Sequence, residues 1–161
     1  MSGAQLRIGI TTGELTATGI DHKEFLFTSN EGIAPRAIEK IASGGEMSRV
    51  MLALKAILSR TVNLPTIIFD EIDTGVSGSV ANAVGEVIAT LSSTMQVIDI
   101  THLPQVASKG DSHYLVYKSD STTNIRALTA EERVVEIAKM LSGDSVTDAA
   151  IAQAQILLGT K

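Results

Sequence analysis

The 161-residue sequence contains no cysteine and no tryptophan, and aromatic residues make up only 3% of it. Without cysteine there can be no disulfide or thiolate metal site, which is typical of a reducing compartment, and we therefore expect a cytoplasmic protein. The scarcity of aromatic residues leaves no platform on which nucleic-acid bases could stack. The core must be built from aliphatic residues and methionine, and a hydrophobic content of 44% suffices for a single domain over residues 1–161.

Basic clusters and long apolar runs are also missing. The formal net charge is −5 and lysine and arginine are scattered, so we do not expect this chain to offer a large nucleic-acid-binding face by itself. No apolar run approaches the roughly 18 residues that a membrane-spanning helix requires, and no signal peptide is recognisable. The sequence therefore predicts a globular protein with no membrane partner.

A short apolar run ends in two adjacent carboxylates. Residues 66–69 predict a strand buried on both faces, as in a parallel sheet, and Asp70 and Glu71 follow directly. Ligands of parallel sheets bind beyond the carboxyl ends of the strands. Ionised carboxylates beside a core require positive compensation, for which a hydrated Mg²⁺ is suitable. The simpler alternative is that both carboxylates face solvent.

A pair of glycines stands where the first long helix is predicted to begin. Ser43 and Glu46 have the spacing of a capping box. Between them, Gly44 and Gly45 would let backbone N–H groups approach a phosphate at the positive end of the helix dipole. An ordinary capped helix is the alternative. An apolar stripe at helical spacing follows: Met47, Val50, Met51, Leu54, Ile57 and Leu58.

A helix over 79–92 and a β-branched run over 95–101 follow the first strand, which predicts a parallel pair joined by a crossover helix. His102 ends the second strand and should lie at the same sheet edge as Asp70 and Glu71. A lone histidine at a strand end is usually structural, but one that shares an edge with two carboxylates is a functional candidate.

The remaining segments predict packing without chemistry. Apolar alternation within 1–30 indicates two antiparallel strands, and 114–118 with 124–128 indicate a hairpin or a short edge pair. Thr129 and Glu132 form a second capping-box pair. The two final helices are predicted to span 129–143 and 147–158.

Taken together, Ser43-Gly-Gly-Glu46, Ile67-Ile-Phe-Asp-Glu71 and His102 resemble the signature motif, Walker B motif and switch histidine of ATP-binding-cassette ATPases with SMC-type heads. From about Gly19 onward, the likeness narrows to a bacterial DNA repair member of that branch. It implies an α/β fold: part of a P-loop NTPase head, with a mostly parallel sheet flanked by helices and N-terminal antiparallel strands.

The chain departs from this family in one respect. No Gly-x-x-x-x-Gly-Lys-Ser/Thr sequence occurs, so the Walker A loop is missing, and there is no heptad run. The resemblance therefore implies a C-terminal head lobe, with 1–30 as its antiparallel part and 41–161 carrying the motifs. Its implied partners are an N-terminal lobe with Walker A, a second head in a homodimer and, through the whole protein, DNA.

The resemblance also implies roles for individual residues with ATP and Mg²⁺. Asp70 would hold Mg²⁺, Glu71 would act as general base, and His102 would contact the γ-phosphate. The implied nucleotide contacts across the head dimer are Ser43, Gly44, Gly45, Glu46 and, in the loop at the seam, Asp73. We expect DNA double-strand-break repair and recombination, nucleoid association, and no ATP turnover by this chain alone.

Four alternatives remain open at this point. Asp70 to Asp73 fits the Asp-Glu-x-Asp pattern of helicases, although these also require Walker A. Residues 75–78 resemble a nucleophile elbow, but Ser79 stands where glycine is required, and His102 and Asp99 are too generic to complete a triad. A metal-dependent hydrolase could use Asp70, Glu71, Asp73 and His102. A non-catalytic module that docks onto another lobe is the strongest alternative.

Overall fold

The computed structural model describes residues 3–40, 44–58, 64–143 and 145–160. An N-terminal antiparallel sheet comes first, formed by β1 (Gln5–Thr16), β2 (Gly19–Thr28) and the short β3 (Arg36–Ala37) in that order. This confirms the two antiparallel strands expected in this region.

The first long helix, α1 (Gly44–Leu58), begins at the predicted glycine pair. Of its predicted apolar stripe, Val50 is buried, whereas Met51, Ile57 and Leu58 are exposed to solvent. Ser43, and with it the capping box expected there, lies outside the described residues. Within the part of the chain that the structure describes, therefore, only one side of α1 is covered by other residues.

A parallel pair of strands forms the centre of the molecule. It consists of β4 (Thr66–Asp70) and β5 (Gln96–Ile100), joined through α2 (Gly78–Ser92). The expected strand–helix–strand order and the parallel pairing are confirmed. Helices α1, α2 and α3 (Pro104–Ala107) pack against one face of the pair, and the core there consists of Leu52, Phe69, Val84, Ile88, Leu91 and Val106.

The prediction that the first of these strands is buried on both faces is wrong. Phe69 is fully buried, but Ile68 on the opposite face is 59% exposed, and Ile98 and Ile100 beside it are 44% and 52% exposed. Helices cover one face only within the described residues. An apolar run signals that both faces avoid water, and here the second face has no cover from the described chain. We call Ile68, Ile98 and Ile100 the open face.

The C-terminal part forms a separate packing unit. It comprises a hairpin of β6 (Tyr114–Ser119) and β7 (Thr122–Ala127), followed by α4 (Ala130–Ser142) and α5 (Asp148–Leu158). The Thr129 hydroxyl accepts from the Glu132 N–H, and the Glu132 carboxylate accepts from the Thr129 N–H, so the predicted capping box is confirmed. The core of this C-terminal unit contains Ile137, Ala138, Ala150 and Ala154.

The predicted α/β fold is confirmed, with a helix-flanked parallel element and N-terminal antiparallel strands. Within the described residues, the parallel part is the β4–β5 pair, and the other two sheets are antiparallel. No helix in the described ranges has both the length and the apolar character to cross a membrane.

Candidate functional site

The carboxyl ends of β4 and β5 bring the predicted residues to one edge. Asp70 pairs with Ile100 at the end of the parallel ladder, and the Glu71 N–H donates to the Ile100 carbonyl at 3.0 Å. His102 follows two residues later, with 62% of its side chain exposed. Asp70 and Glu71 are also exposed. The structure thus places Asp70, Glu71 and His102 at the same solvent-facing edge.

Glu71 has an unusual backbone conformation. Its φ angle is +47°, in the left-handed region that residues other than glycine rarely adopt. Its carbonyl accepts from the Thr74 N–H at 3.2 Å and from the Thr74 hydroxyl at 2.8 Å. Such strain costs on the order of 1–3 kcal/mol and concentrates at functional sites. The tight turn therefore fixes where the Glu71 carboxylate leaves the strand.

Asp73 lies behind this turn and points inward. Its side chain is only 1% exposed, and its Oδ2 accepts a short hydrogen bond from the Thr101 hydroxyl. Its Oδ1 lies 3.9 Å from His102 Nδ1. Asp73 therefore links the loop after β4 to the segment after β5.

Asp99 is a functional candidate that sequence reasoning set aside. It pairs with Phe69 and so lies on the helix-covered face, where neither carboxylate oxygen accepts a hydrogen bond from the described residues. Burial, and secondarily the charge of Asp73, raise the pKa of Asp99 to about 6. The sequence feature that could have identified Asp99 is a carboxylate within the β-branched run of residues 95–101.

The glycine pair at the start of α1 has two different environments. A side chain at Gly45 would lie 3.0 Å from the Thr74 carbonyl oxygen and 3.3 Å from Arg49 Nη1, whereas one at Gly44 would meet nothing within 4 Å. Glycine at 45 therefore allows close packing of α1 on the loop after β4. Gly44 is exposed to solvent, so close packing does not explain glycine at this position. The Glu46 carboxylate accepts from the Ser29 hydroxyl at 2.5 Å.

The donor chemistry of the edge fits magnesium. Asp70 and Glu71 offer carboxylate oxygens, and Mg²⁺ is usually bound through one or two carboxylates, with phosphates and waters completing its shell. Among the described residues, no group of three or more Asp, Glu, His or Cys side chains converges to form an all-protein metal cage. The edge thus suits a cation that arrives with a phosphate.

A second polar region lies beneath the C-terminal hairpin. The Arg133 guanidinium donates to the Ser108 carbonyl at 2.9 Å and to the Gly110 carbonyl. Both carbonyls belong to the segment that follows α3. Burial, and then the charge of Arg133, lower the pKa of His113. Both side chains line a cavity of about 290 Å³ with Asp111 and Tyr114. Because Arg133 is occupied by backbone carbonyls, its contacts explain the packing of this region.

No protein-family model matches the chain. Curated proteins of similar sequence are named DNA repair protein RecN. One from Rickettsia conorii is 48% identical over 162 residues, covering 98% of this chain and 30% of the relative. Another from Bacillus subtilis is 46% identical over 149 residues, covering 90% and 26%. The chain has RecN homologues along most of its length and spans less than a third of theirs.

Solved structures with a similar fold are SMC ATPase heads. The Smc head domain with a coiled coil and joint from Pyrococcus yayanosii matches with a TM-score of 0.71 at 23% identity, over 88% of this chain and 26% of that one. A chain solved in work on ATP-driven dimerization and DNA stimulated activation of SMC ATPases matches at 0.66 and 22% identity, over 89% and 85%. The fold is that of an SMC ATPase head in part.

Proposed function

We propose that this chain is the C-terminal lobe of the ATPase head of a RecN-like DNA repair protein. The observation that carries the proposal is the common edge of Asp70, Glu71 and His102, formed by the parallel register of β4 and β5. The homologues named RecN support the same assignment. The lobe contributes these side chains to a nucleotide site that another lobe completes.

Each residue of the edge has a role in phosphoryl transfer. Asp70 would hold Mg²⁺, which would supply neutralisation of the charge on the phosphates. Glu71, fixed by its strained turn, polarises the attacking water as general base. His102 contacts the γ-phosphate from the neighbouring strand end. Positioning and electrostatics supply most of the rate enhancement in this chemistry, so an incomplete site is a poor catalyst.

The start of α1 supplies the contact to a second head. Gly44 is open to solvent and lies at the positive end of a 15-residue helix, which suits a phosphate held by an opposing subunit. Ser43 and Glu46 flank this position in the sequence, and Asp73 belongs to the loop against which Gly45 packs. In this proposal ATP is bound between two heads, and hydrolysis requires the dimer.

The open face is where the missing lobe binds. Ile68, Ile98 and Ile100 are apolar and exposed, and the relatives are more than three times as long as the aligned segment. Burial of apolar surface stabilises such a contact by about 25 cal/mol per Å². The Walker A loop absent from this sequence belongs to that lobe, which would also continue the sheet beyond β4–β5.

For the whole protein, the proposal is an ATP hydrolase that acts in DNA double-strand-break repair and recombination, in the cytoplasm at the nucleoid. Its heads engage as a homodimer, and DNA is contacted by the complete protein. The acidic balance of this chain, with a net charge of −5, agrees with DNA contact lying elsewhere.

The test is reconstitution. Labelled ATP is titrated against the chain alone, against a separately expressed Walker A lobe, and against the mixture. We expect tight binding and hydrolysis in the mixture only. Glu71→Gln should reduce hydrolysis in the mixture by about 100-fold or more while ATP-dependent dimers persist. Robust hydrolysis by the chain alone, or a normal rate with Glu71→Gln, would contradict the proposal.

A non-catalytic docking module is the second candidate, favoured by the open face and by the absence of a Walker A sequence. The same mixture separates the two functions. A module binds the other lobe without creating an ATP site, whereas a split head creates one. Ser43→Arg provides a further distinction, because a bulky cation at the start of α1 should block head dimerisation while leaving lobe docking intact.

A further inference from the structure

The buried carboxylate of Asp73 is held by a chain of hydrogen bonds from the next strand end. The Leu103 N–H donates to the Thr101 hydroxyl oxygen at 2.9 Å, and the Thr101 hydroxyl donates in turn to Asp73 Oδ2. With 1% exposure, Asp73 has almost no contact with solvent. Its orientation is therefore set by the segment that also carries His102.

The other oxygen of this carboxylate faces a histidine. Asp73 Oδ1 is buried and accepts no hydrogen bond from the described residues, and His102 Nδ1 lies 3.9 Å away. A distance of 3.9 Å is longer than a hydrogen bond, but hydrogen bonds of catalytic groups are often long before substrate binds and shorten in the complex. The His102 side chain is 62% exposed, so little packing fixes its ring.

From this geometry we infer that Asp73 is a positioning residue for His102. Its Oδ1 accepts from Nδ1–H, which selects that tautomer and turns Nε2 away from the buried carboxylate toward the sheet edge. A carboxylate that accepts from one ring nitrogen commonly determines which nitrogen is left to act. The importance of this for catalysis rests on the proposed function, whereas the tautomer and ring orientation do not.

As a positioning residue, Asp73 has a different role from the contact at the dimer seam that the resemblance implied. A residue at a dimer seam would present its side chain outward, whereas this side chain points inward to Thr101 and His102. With Nδ1 directed to Asp73, Nε2 is the ring atom left at the sheet edge, where the proposed phosphate contact would be made. Thr101 acts through Asp73. The Thr101 hydroxyl donates to Oδ2 of Asp73, so Oδ1 is the carboxylate oxygen that can accept from the His102 ring.

The direct test is the tautomer of His102 in the 161-residue chain, measured by long-range ¹H–¹⁵N NMR at a pH where the imidazole is neutral. The sequence has three histidines, so His102→Gln identifies the signal, and exposed His22 serves as internal reference. We expect an Nδ1–H fraction at least about twofold that of His22. In Asp73→Asn the amide oxygen should take the place of Oδ2, so that its NH₂ faces Nδ1 and favours the Nε2–H tautomer.

Two further variants keep the test decisive. Thr101→Val removes the donor that orients Asp73 and should reduce the Nδ1–H fraction even if Asp73→Asn fails to fold. Asp99→Asn changes the neighbouring carboxylate and should leave the fraction unchanged. A His102 signal that matches His22 in the unmodified chain, or an Asp99→Asn effect equal to that of Asp73→Asn, would overturn the inference.

Reconstituted heads give the functional readout. Asp73→Asn should lower kcat about tenfold or more with KM for ATP little changed, and should add little to the loss in His102→Gln. Because the NMR measurement contains no nucleotide, it can succeed although ATP binding fails, and that outcome would refute the proposed function alone. Normal kcat in Asp73→Asn beside a shifted tautomer would refute the catalytic importance of the contact.

Discussion

The two faces of the β4–β5 pair reverse the usual arrangement of a half-buried sheet. The face under the helices contains fully buried Phe69 but also Asp99, whose carboxylate accepts no hydrogen bond from the described residues. The open face, in contrast, is apolar, with Ile68 and Ile98 exposed by 59% and 44%. A carboxylate lies where a sheet normally packs, and isoleucines lie where a sheet normally meets water.

Both features lower the stability of the chain as it stands. Exposed isoleucine forgoes the gain from burial, and a desolvated carboxylate without a donor is costly. The C-terminal unit differs, because its helix α4 begins with a complete capping box and encloses its own apolar core. The C-terminal unit thus satisfies its own packing within the described residues, whereas the β4–β5 layer leaves an apolar face exposed and a buried carboxylate without a donor.

The largest effect is expected from a charge placed on the open face. Ile98→Lys should reduce affinity for the Walker A lobe by about 100-fold or more, because an unpaired ammonium in an apolar contact costs several kcal/mol. The chain itself should fold as before, since Ile98 is 44% exposed. Isothermal titration calorimetry between the two lobes measures the change.

The matched control is Ile125→Lys, which places the same charge on the C-terminal hairpin at a residue 67% exposed. We expect lobe affinity within about twofold of the unmodified chain, as for ordinary surface substitutions. If the two variants weaken binding equally, or if neither does, the open face is not the docking surface and the contrast between the two faces loses its meaning.

The covered face is tested next, through Asp99. Its pKa in the folded chain is about 6, above the ordinary 3.8, so the folded state binds this proton more tightly than the unfolded state. The resulting stabilisation is complete below about pH 4 and is lost as the pH rises through 6. At pH 8, Asp99→Asn should therefore be more stable than the unmodified chain by roughly 1–3 kcal/mol, a range that allows for solvent screening.

Urea unfolding at pH 4, 6 and 8 checks this prediction. The free-energy difference between variant and unmodified chain should grow across that interval. The pKa of His113 is lowered and gives a pH dependence of opposite sign, but His113 is common to both chains and cancels in the difference. Asp120→Asn, at an exposed hairpin turn, should show no such growth. A constant difference for Asp99→Asn would mean that this carboxylate is not desolvated in the folded chain.

Sequence patterns predicted most of the elements because they depend on local spacing. Residues Thr129 and Glu132 determine a helix start on their own, and the strand–helix–strand order fixed the side of the sheet on which His102 emerges. The placement of Asp70, Glu71 and His102 at one edge follows from that order. Their chemical roles stay predictions.

Local sequence spacing does not predict which face of the β4–β5 pair is covered by helices. The apolar run before Asp70 indicated that both faces avoid water, yet only contacts with distant helices decide which face is packed, and Ile68 lies on the open one. The left-handed backbone of Glu71 and the inward direction of Asp73 depend on the turn between strand and helix. Pairing Asp99 with Phe69 required the register of two strands that are far apart in sequence.

The smallest predicted effect concerns the contact between the start of α1 and the loop after β4. Gly45→Ala should destabilise the chain by about 1–2 kcal/mol, because its Cβ would lie 3.0 Å from the Thr74 carbonyl oxygen, so that α1 or the loop after β4 must shift. Gly44→Ala, with nothing within 4 Å, should be neutral or slightly stabilising, since alanine favours the helix. Thermal unfolding of both variants measures these two changes in stability.

Because Thr74 also holds the Glu71 carbonyl, a disturbance at Gly45 should spread to the turn. Equal melting temperatures would mean that α1 does not hold this turn, and that the strained Glu71 backbone is maintained by the parallel strands alone.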